Sequence, residues 1–133
     1  GRISALGEFL ASEDGDNLLT AYRRAANISS IEAKKDQLDY DGSVDPSLLS
    51  EKEELDLHKV LELTRPSVED HLAAGRFQET MSVLATLRNP VDNFFDKVTV
   101  NSDDPKTRIN RLHLLSSIVT TMGSVANFGE IQG

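Results

Sequence analysis

Residues 103–126, DDPKTRINRLHLLSSIVTTMGSVA, hold the strongest helical pattern in the chain. Asp104 followed by Pro105 predicts a helix start, because an aspartate caps the first backbone amides and proline is tolerated at the first helical position. Apolar residues then recur every three or four positions, and further apolar residues widen this stripe into a broad arc. A broad arc is typical of a helix that packs against several neighbours, so we predict a central helix. The stripe consists of Ile109, Leu112, Leu115, Val119, Met122 and Ala126.

Helical spacing of apolar residues also dominates the rest of the chain. The predicted helices cover residues 2–12, 16–31, 46–75 and two segments within 77–98. Asp16 or Asn17 caps the second of them, and the Asp- and Gly-rich segment 36–47 predicts a loop. The β-favouring run at 97–101 is too short to anchor a sheet. We therefore predict an all-α fold, a helical bundle of about five to six helices.

Several helix ends can be predicted from capping residues and prolines. Ser50 with Glu53 matches a capping box, in which each side chain bonds the backbone amide near the other. Pro66 is expected to kink or divide the helix that ends at Gly75. Asn89 followed by Pro90 predicts a cap and a new helix start.

Length and composition limit the possible classes of protein. The 133 residues fit one domain, spanning 1–133, and the absence of Cys excludes a disulfide framework and a thiolate site. No apolar run approaches the roughly 20 residues that cross a bilayer. Twenty-two acidic against 14 basic residues give a net charge of −8, which argues at first against a nucleic-acid partner. The chain begins at Gly1 without Met, and we expect it to be a piece of a longer protein.

The sequence contains no familiar catalytic or metal-binding constellation. Its three histidines lack metal-ligand spacing, and its glycines do not form a phosphate-binding loop. Asp92 and Asp96 share one helix face four residues apart. They are either an acid–base pair or cation clamp of an enzyme, or structural residues at a helix start and a helix contact. We favour the structural interpretation, and predict no catalytic residue, metal site or cofactor in this chain.

Basic residues gather in two short stretches despite the acidic total. Segment 21–35 carries a net charge of +3, and segment 97–111 carries +2. Such clusters on an acidic body can hold an RNA backbone at one place. The alternative is that they are solvated faces and ion pairs within helices. The bases are Arg23, Arg24, Lys34 and Lys35 in the first stretch, and Lys97, Lys106, Arg108 and Arg111 in the second.

Residues 90–101, PVDNFFDKVTVN, resemble the PVDxFFDxVxVx signature of the β subunit of heterotetrameric bacterial glycyl-tRNA synthetase. Thr99 stands where that family often has Met, and Asn127–Phe128–Gly129 also departs from its pattern. The order and spacing of the strings agree with the family over practically the whole chain. The other matching strings are RRAANI (23–28), VDPSLL (44–49), RINRLHLL (108–115), and VANF (125–128) followed by Ile131 and Gln132.

The resemblance implies a C-terminal helical anticodon-binding domain, similar to that of arginyl-tRNA synthetase. It implies a cytoplasmic tRNA-binding module whose partners are glycine-specific tRNA, the rest of the β subunit and the α subunit, without DNA or a membrane. The parent enzyme would use ATP and Mg²⁺ outside this chain. The alternative is a structural domain that packs within the synthetase tetramer and scarcely touches RNA.

The expected RNA-facing residues combine the basic clusters with nearby amides, because arginine matches phosphates and base edges, and splayed bases need amide partners. They are Arg23, Arg24, Asn27, Lys34, Lys35, Asn101, Arg108 and Arg111. Asp92, Asp96 and Asn110 are expected to form a polar network between helices, and Arg111 can belong to that network instead of facing RNA. Phe94 and Phe95 are expected mostly in the core, with a Phe94 exposed for base stacking as the alternative.

Overall fold

The fold is a bundle of α-helices. The computed structural model describes the backbone of residues 12–40 and 43–132, and their side chains except at 14 and 124–132. The described part contains no strand, and the predicted all-α helical bundle is confirmed. Its elements are α1 (Glu13–Asp36), a 3-10 turn (Pro46–Leu48), α2 (Lys52–Ala73), α3 (Phe77–Ala85), α4 (Arg88–Lys97) and α5 (Pro105–Gln132).

Helix α5 lies at the centre of the bundle, as its broad apolar arc predicts. It packs on α1 and α2, while α2 also contacts α3 and α4, and α1 contacts α4. Leu112, Leu114, Leu115 and Ile118 of α5 are fully buried. Each such side chain contributes about 1.5–3 kcal/mol by leaving water, so these four anchor the bundle. The Asp104 carboxylate caps α5 as predicted, accepting from the Lys106 backbone amide at 3.1 Å.

Helix α1 begins earlier than predicted. The Ser12 Oγ accepts from the Gly15 amide at 3.1 Å, so the cap is Ser12 and not Asp16 or Asn17. A serine one turn upstream bonds the first free amides, which leaves the acidic residues inside the first turns. Except for Ser12, the predicted helix over 2–12 lies outside the described residues.

Two further predicted helix starts are shifted in the structure. Asp45 caps the 3-10 turn Pro46–Leu48, and α2 itself starts only at Lys52. The capping box of α2 is Glu51 with Glu54, one residue beyond the predicted Ser50 and Glu53. Glu54 forms the capping box instead of Glu53 because the side chain of Glu54 is fully buried against the start of α2, whereas Glu53 is partly exposed.

Pro66 does not divide α2, so of the two predicted effects, a kink or a division, the division is wrong. The helix continues from Lys52 to Ala73, with Leu61 and Val68 buried on either side of the proline. Packing of these neighbours offsets the backbone hydrogen bond that proline removes. The helix stops at Ala73, just before the predicted Ala74–Gly75 end, and Gly75 has a φ of +75°, a left-handed conformation that glycine adopts without steric cost.

The break between α3 and α4 lies before the predicted Asn89 cap. Helix α4 begins at Arg88 after Leu87, which is fully buried, and Pro90 occupies the third helical position. Proline is accepted there because the amides of the first turn have no partner within the helix. Burial of Leu87 therefore sets the turn, and the Asn–Pro pair does not.

A buried ion pair joins α2 to α5. The Glu54 carboxylate accepts from Arg111 Nη2 at 3.0 Å and from the Glu51 amide at 3.0 Å. Arg111 Nη1 donates to the Thr99 carbonyl at 2.6 Å, in the segment that links α4 to α5. Burial by itself raises the pKa of Glu54. Arg111 and the backbone amides at the start of α2 together lower this pKa by more than burial raises it, so the net pKa lies below 4.5. Glu54 is therefore ionised and paired.

We predict that Arg111→Ala lowers the free energy of unfolding by about 3–5 kcal/mol, because it leaves the Glu54 carboxylate buried without a cation. Urea denaturation followed by far-UV circular dichroism measures this loss. The exposed control Lys59→Ala should change stability by no more than about 0.5 kcal/mol. The double variant Glu54→Gln with Arg111→Met should be more stable than Arg111→Ala, since no charge remains buried. Equal stability of these two variants would contradict the assigned pairing.

Candidate nucleic-acid interface

One side of α1 presents cations and an amide to solvent. Positions 23, 27, 30, 31 and 34 fall within one arc of the helix at 3.6 residues per turn, and 24 and 35 border it. All seven side chains are exposed. From Arg23 to Lys35 the surface is about 18 Å long, since each helical residue rises about 1.5 Å. We call this surface the basic face of α1; it consists of Arg23, Arg24, Asn27, Ser30, Ile31, Lys34 and Lys35.

The basic face places five of the predicted RNA-facing residues side by side. Arg23, Asn27 and Lys34 follow one line along the helix, at steps of four and seven residues. Ile31 lies among them with 63% of its surface exposed, a residue that charge counting misses. The signal for it in the sequence is an isoleucine on the same helical line as Asn27, four residues later.

Arg24 is held over an aromatic ring at the border of the basic face. Its Cζ lies 4.4 Å from the centroid of the Phe95 ring, which is cation–π distance. Phe95 in turn contacts the buried Phe94 edge-on, with ring centroids 5.7 Å apart. Phe94 is fully buried, so the alternative of an exposed Phe94 that stacks on a base is wrong. The partly exposed ring beside the basic face is Phe95.

Arg108 lies where the two basic stretches meet, but its charge is paired. Its Nη2 is 2.8 Å from Asp36 Oδ2 and 3.4 Å from Glu32 Oε1, both on α1. Its Nε donates to the Asn101 Oδ1 at 3.2 Å. Glu32 and Asp36 are four residues apart and therefore share one face of α1. This spacing is the signal in the sequence for an acidic pair that can bind an arginine. The predicted RNA-facing residue Arg108 thus joins α5 to α1, and the predicted RNA-facing residue Asn101, in the segment between α4 and α5, accepts a hydrogen bond from it.

Arg111 is not available to RNA, because it is 7% exposed and paired with Glu54. Asn110 is also buried, and it bonds the backbone of Asp45 through Oδ1 at 2.7 Å and Nδ2 at 3.1 Å. The structure does not bring Asp92 or Asp96 to these residues. Asp92 lies 3.8 Å from Arg88 in its own helix, and Asp96 is exposed. The predicted network of Asp92, Asp96 and Asn110 is therefore not formed, since α4 turns its two carboxylates towards α1.

A cleft of about 280 Å³ lies between α1 and α4, beside the basic face. Among the described residues, no cluster of His, Asp or Glu side chains large enough to hold a metal ion is found. No helix in the described part of the chain is both long and apolar enough to cross a membrane. The residues that line the cleft are Asn17, Thr20, Ala21 and Arg24 from α1, and Asp92, Phe95 and Asp96 from α4.

Asp36 connects the contact between α1 and α5 to the loop that follows α1. A hydrogen bond from the Tyr40 hydroxyl, and then the Arg108 guanidinium, lower the pKa of Asp36 below 3.8. Burial, followed by the hydrogen bond to Asp36, raises the pKa of Tyr40 above 10.0. Because the folded chain holds Asp36 at a lower pKa than the unfolded chain, this contact stabilises the fold above about pH 4. The stabilisation is lost as pH falls through the lowered pKa.

We predict that Tyr40→Phe raises the pKa of Asp36 towards 3.8, because it removes the hydrogen bond that lowers this pKa most. Carbon-detected NMR titration of the side-chain carboxyl groups measures this directly. The acid-unfolding midpoint should move to higher pH in the same variant. Tyr22→Phe is the matched control and should leave the pKa of Asp36 where it was. An Asp36 pKa that is the same in both variants would contradict the role given to Tyr40.

The chain is similar to known proteins over the residues that form the basic face and the cleft. A family model described as the DALR anticodon binding domain matches residues 18–128, which include the whole basic face and the cleft apart from Asn17. Similar proteins include the glycine–tRNA ligase β subunits of Rhodospirillum centenum, 50% identical over 133 residues, of Ruegeria sp., 40% over 132, and of Paracoccus denitrificans, 37% over 132.

Each of these alignments covers 99% of this chain and 19% of the relative. The chain thus spans about a fifth of the length of the curated relatives it matches. The family model, however, covers most of the chain, from the early turns of α1 into the last turns of α5. The chain belongs to the DALR anticodon-binding domain family.

Proposed function

We propose that the chain binds the anticodon stem-loop of glycine tRNA, as a module of a glycine–tRNA ligase β subunit. The observation that carries this proposal is the exposed basic face of α1, which lies within the residues matched by the anticodon-binding family model. The names of the similar proteins support the choice of glycine as the amino acid. The net negative charge of the whole chain supports selectivity, since it opposes non-specific binding of RNA.

The basic face offers different groups for different parts of the RNA. Arg23, Lys34 and Lys35 carry charges that can neutralise phosphates, which fixes the register of the RNA without reading its sequence. Asn27 supplies an amide donor and acceptor between them, which suits the edge of an unstacked base. The exposed Ile31 adds an apolar contact. Affinity in this proposal comes from α1, because Arg108 and Arg111 of α5 are engaged within the fold.

In the proposed assignment, this chain takes no part in the chemistry of aminoacylation. ATP and Mg²⁺ are used by other parts of the ligase, and the protein partners are the rest of the β subunit and the α subunit. Translation takes place in the cytoplasm, so the proposed function belongs there. The proposal includes neither DNA nor a membrane as a partner.

A structural role within the synthetase is the second candidate. The observation that favours it is a set of large apolar side chains in solvent. Leu55 and Leu63 on α2 are 49% and 68% exposed, and Leu38 after α1 is 55% exposed. Apolar surface of this kind is suited to a contact with another part of a larger protein. In this alternative the exposed leucines dock the domain, and α1 scarcely touches RNA.

We predict that Arg23→Ala and Lys34→Ala each weaken binding of a glycine-tRNA anticodon hairpin, and do so equally for all loop sequences, because both contact phosphates. Each substitution should lower the slope of log affinity against log salt by about 0.7–0.9, the value for one lost phosphate contact. Fluorescence anisotropy with a labelled hairpin, titrated between about 50 and 200 mM salt, measures both quantities.

Lys59→Ala is the matched control, since it removes one exposed charge from α2, outside the basic face. It should leave the slope unchanged. If Arg23→Ala and Lys34→Ala behave like this control, RNA does not bind α1. The second candidate then predicts that Leu55→Ser with Leu63→Ser weakens attachment of the chain to the ligase.

A further inference from the structure

The cleft between α1 and α4 combines features that a phosphate site would not have. Asp92 and Asp96 bring two carboxylates to one wall, and these repel phosphate. Arg24 stands at the opposite wall, and Asn17 adds an amide. A volume of about 280 Å³ lies near the lower end of the roughly 300–1,000 Å³ of small-molecule sites, so the cleft suits one compact polar group.

Arg24 lines this cleft, and its guanidinium is already positioned over an aromatic ring. Its Cζ lies 4.4 Å from the centroid of the Phe95 ring, and the fully buried Phe94 contacts Phe95 edge-on. A long side chain that is already positioned loses less rotamer freedom when a ligand stacks on it. Unstacked RNA bases bind flat guanidinium groups and aromatic rings in this way. The cleft therefore lies beside a platform suited to one base.

The carboxylates select the kind of base edge. Asp92 is partly engaged with Arg88, at 3.8 Å, and its side chain is 48% exposed. Asp96 is more exposed, and within the described residues it has no ion-pair partner, so its oxygens are available. An ionised carboxylate only accepts hydrogen bonds, and it therefore favours a base edge with an amino group. Cytosine presents an N4 amino group, whereas uracil presents an O4 acceptor at the same place.

We propose that the cleft between α1 and α4 binds one cytosine of the anticodon, stacked on Arg24 and identified by the Asp96 carboxylate through its N4 amino group. This inference rests on the proposed function, because glycine codons begin with GG and glycine anticodons accordingly carry cytosine at their second and third positions. The basic face of α1 holds the phosphates next to the cleft. Asp96 is the specificity-determining residue, and Phe95 is a positioning residue that acts through Arg24.

The test uses three labelled anticodon hairpins, one with both cytosines and two in which a single one of them is replaced by uracil. The wild-type chain should prefer cytosine at one position by at least about fivefold, the lower end of what one good base contact provides. Asp96→Asn should bring that preference to within about twofold, because an amide can donate to uracil as well as accept from cytosine. The ratio of the two affinities cancels the general gain from removing a negative charge.

Asp56→Asn on α2 is the matched control and should keep the wild-type preference, since Asp56 is an exposed aspartate outside the cleft. If Asp96→Asn keeps that preference, or if the wild type shows none, while Arg23→Ala still weakens hairpin binding, the cytosine site is wrong and the proposed function stands. If the wild-type chain binds none of the hairpins, both proposals are overturned.

Discussion

The ion pair between Glu54 and Arg111 is the interaction on which the rest of the structure depends. Its carboxylate closes the capping box of α2, and its guanidinium belongs to the central helix α5. The same guanidinium holds the Thr99 carbonyl, which fixes the link between α4 and α5. Two charges at this depth are costly, and the hydrogen bonds to Glu54 Oε1 and from both Nη atoms of Arg111 offset part of that cost. The pair therefore fixes the relative positions of three helices.

The fold separates the four arginines of the two family motifs RRAANI and RINRLHLL into two pairs. Arg108 and Arg111 of α5 form ion pairs with carboxylates on α1 and α2, and so they stabilise contacts between helices. Arg23 and Arg24 of α1 stay at the surface. The arginines of the motif in α5 thus stabilise the fold, whereas the arginines of the motif in α1 belong to an exposed surface. The difference follows from the direction in which each helix presents its side chains.

The net charge of −8 has a similar explanation once the fold is known. Part of the acidity is internal, because Glu32 and Glu54 are buried and Asp36 lies against Arg108. A carboxylate that is paired with an arginine repels an anionic ligand less than an unpaired one, because the opposite charges offset each other. The basic face of α1 can therefore be positive on a chain whose total charge is strongly negative. Total charge is a poor guide to partners when the opposite charges are separated in space.

Much of the fold could be predicted from the sequence, since apolar spacing follows from the helical repeat. The central position of α5, its Asp104 cap and the left-handed Gly75 just after the end of α2 agree with the structure. The starts of α1, α2 and α4 could not be predicted to the residue. Ser12, Glu51 and Leu87 take those places because of burial and competition between neighbouring caps, and neither is visible in a local pattern.

The sequence by itself determined the helical class, the family motifs and the two basic stretches, because these depend on residue types and short spacings. Only the tertiary structure decided which charges reach solvent. Arg111 lies beside Glu54, 57 residues away in the chain, and Arg24 lies beside Phe95, 71 positions later in the sequence. Such pairings arise from helix packing and have no local signature. Helix packing buries Arg111, one of the predicted RNA-facing residues, and forms the cleft between α1 and α4.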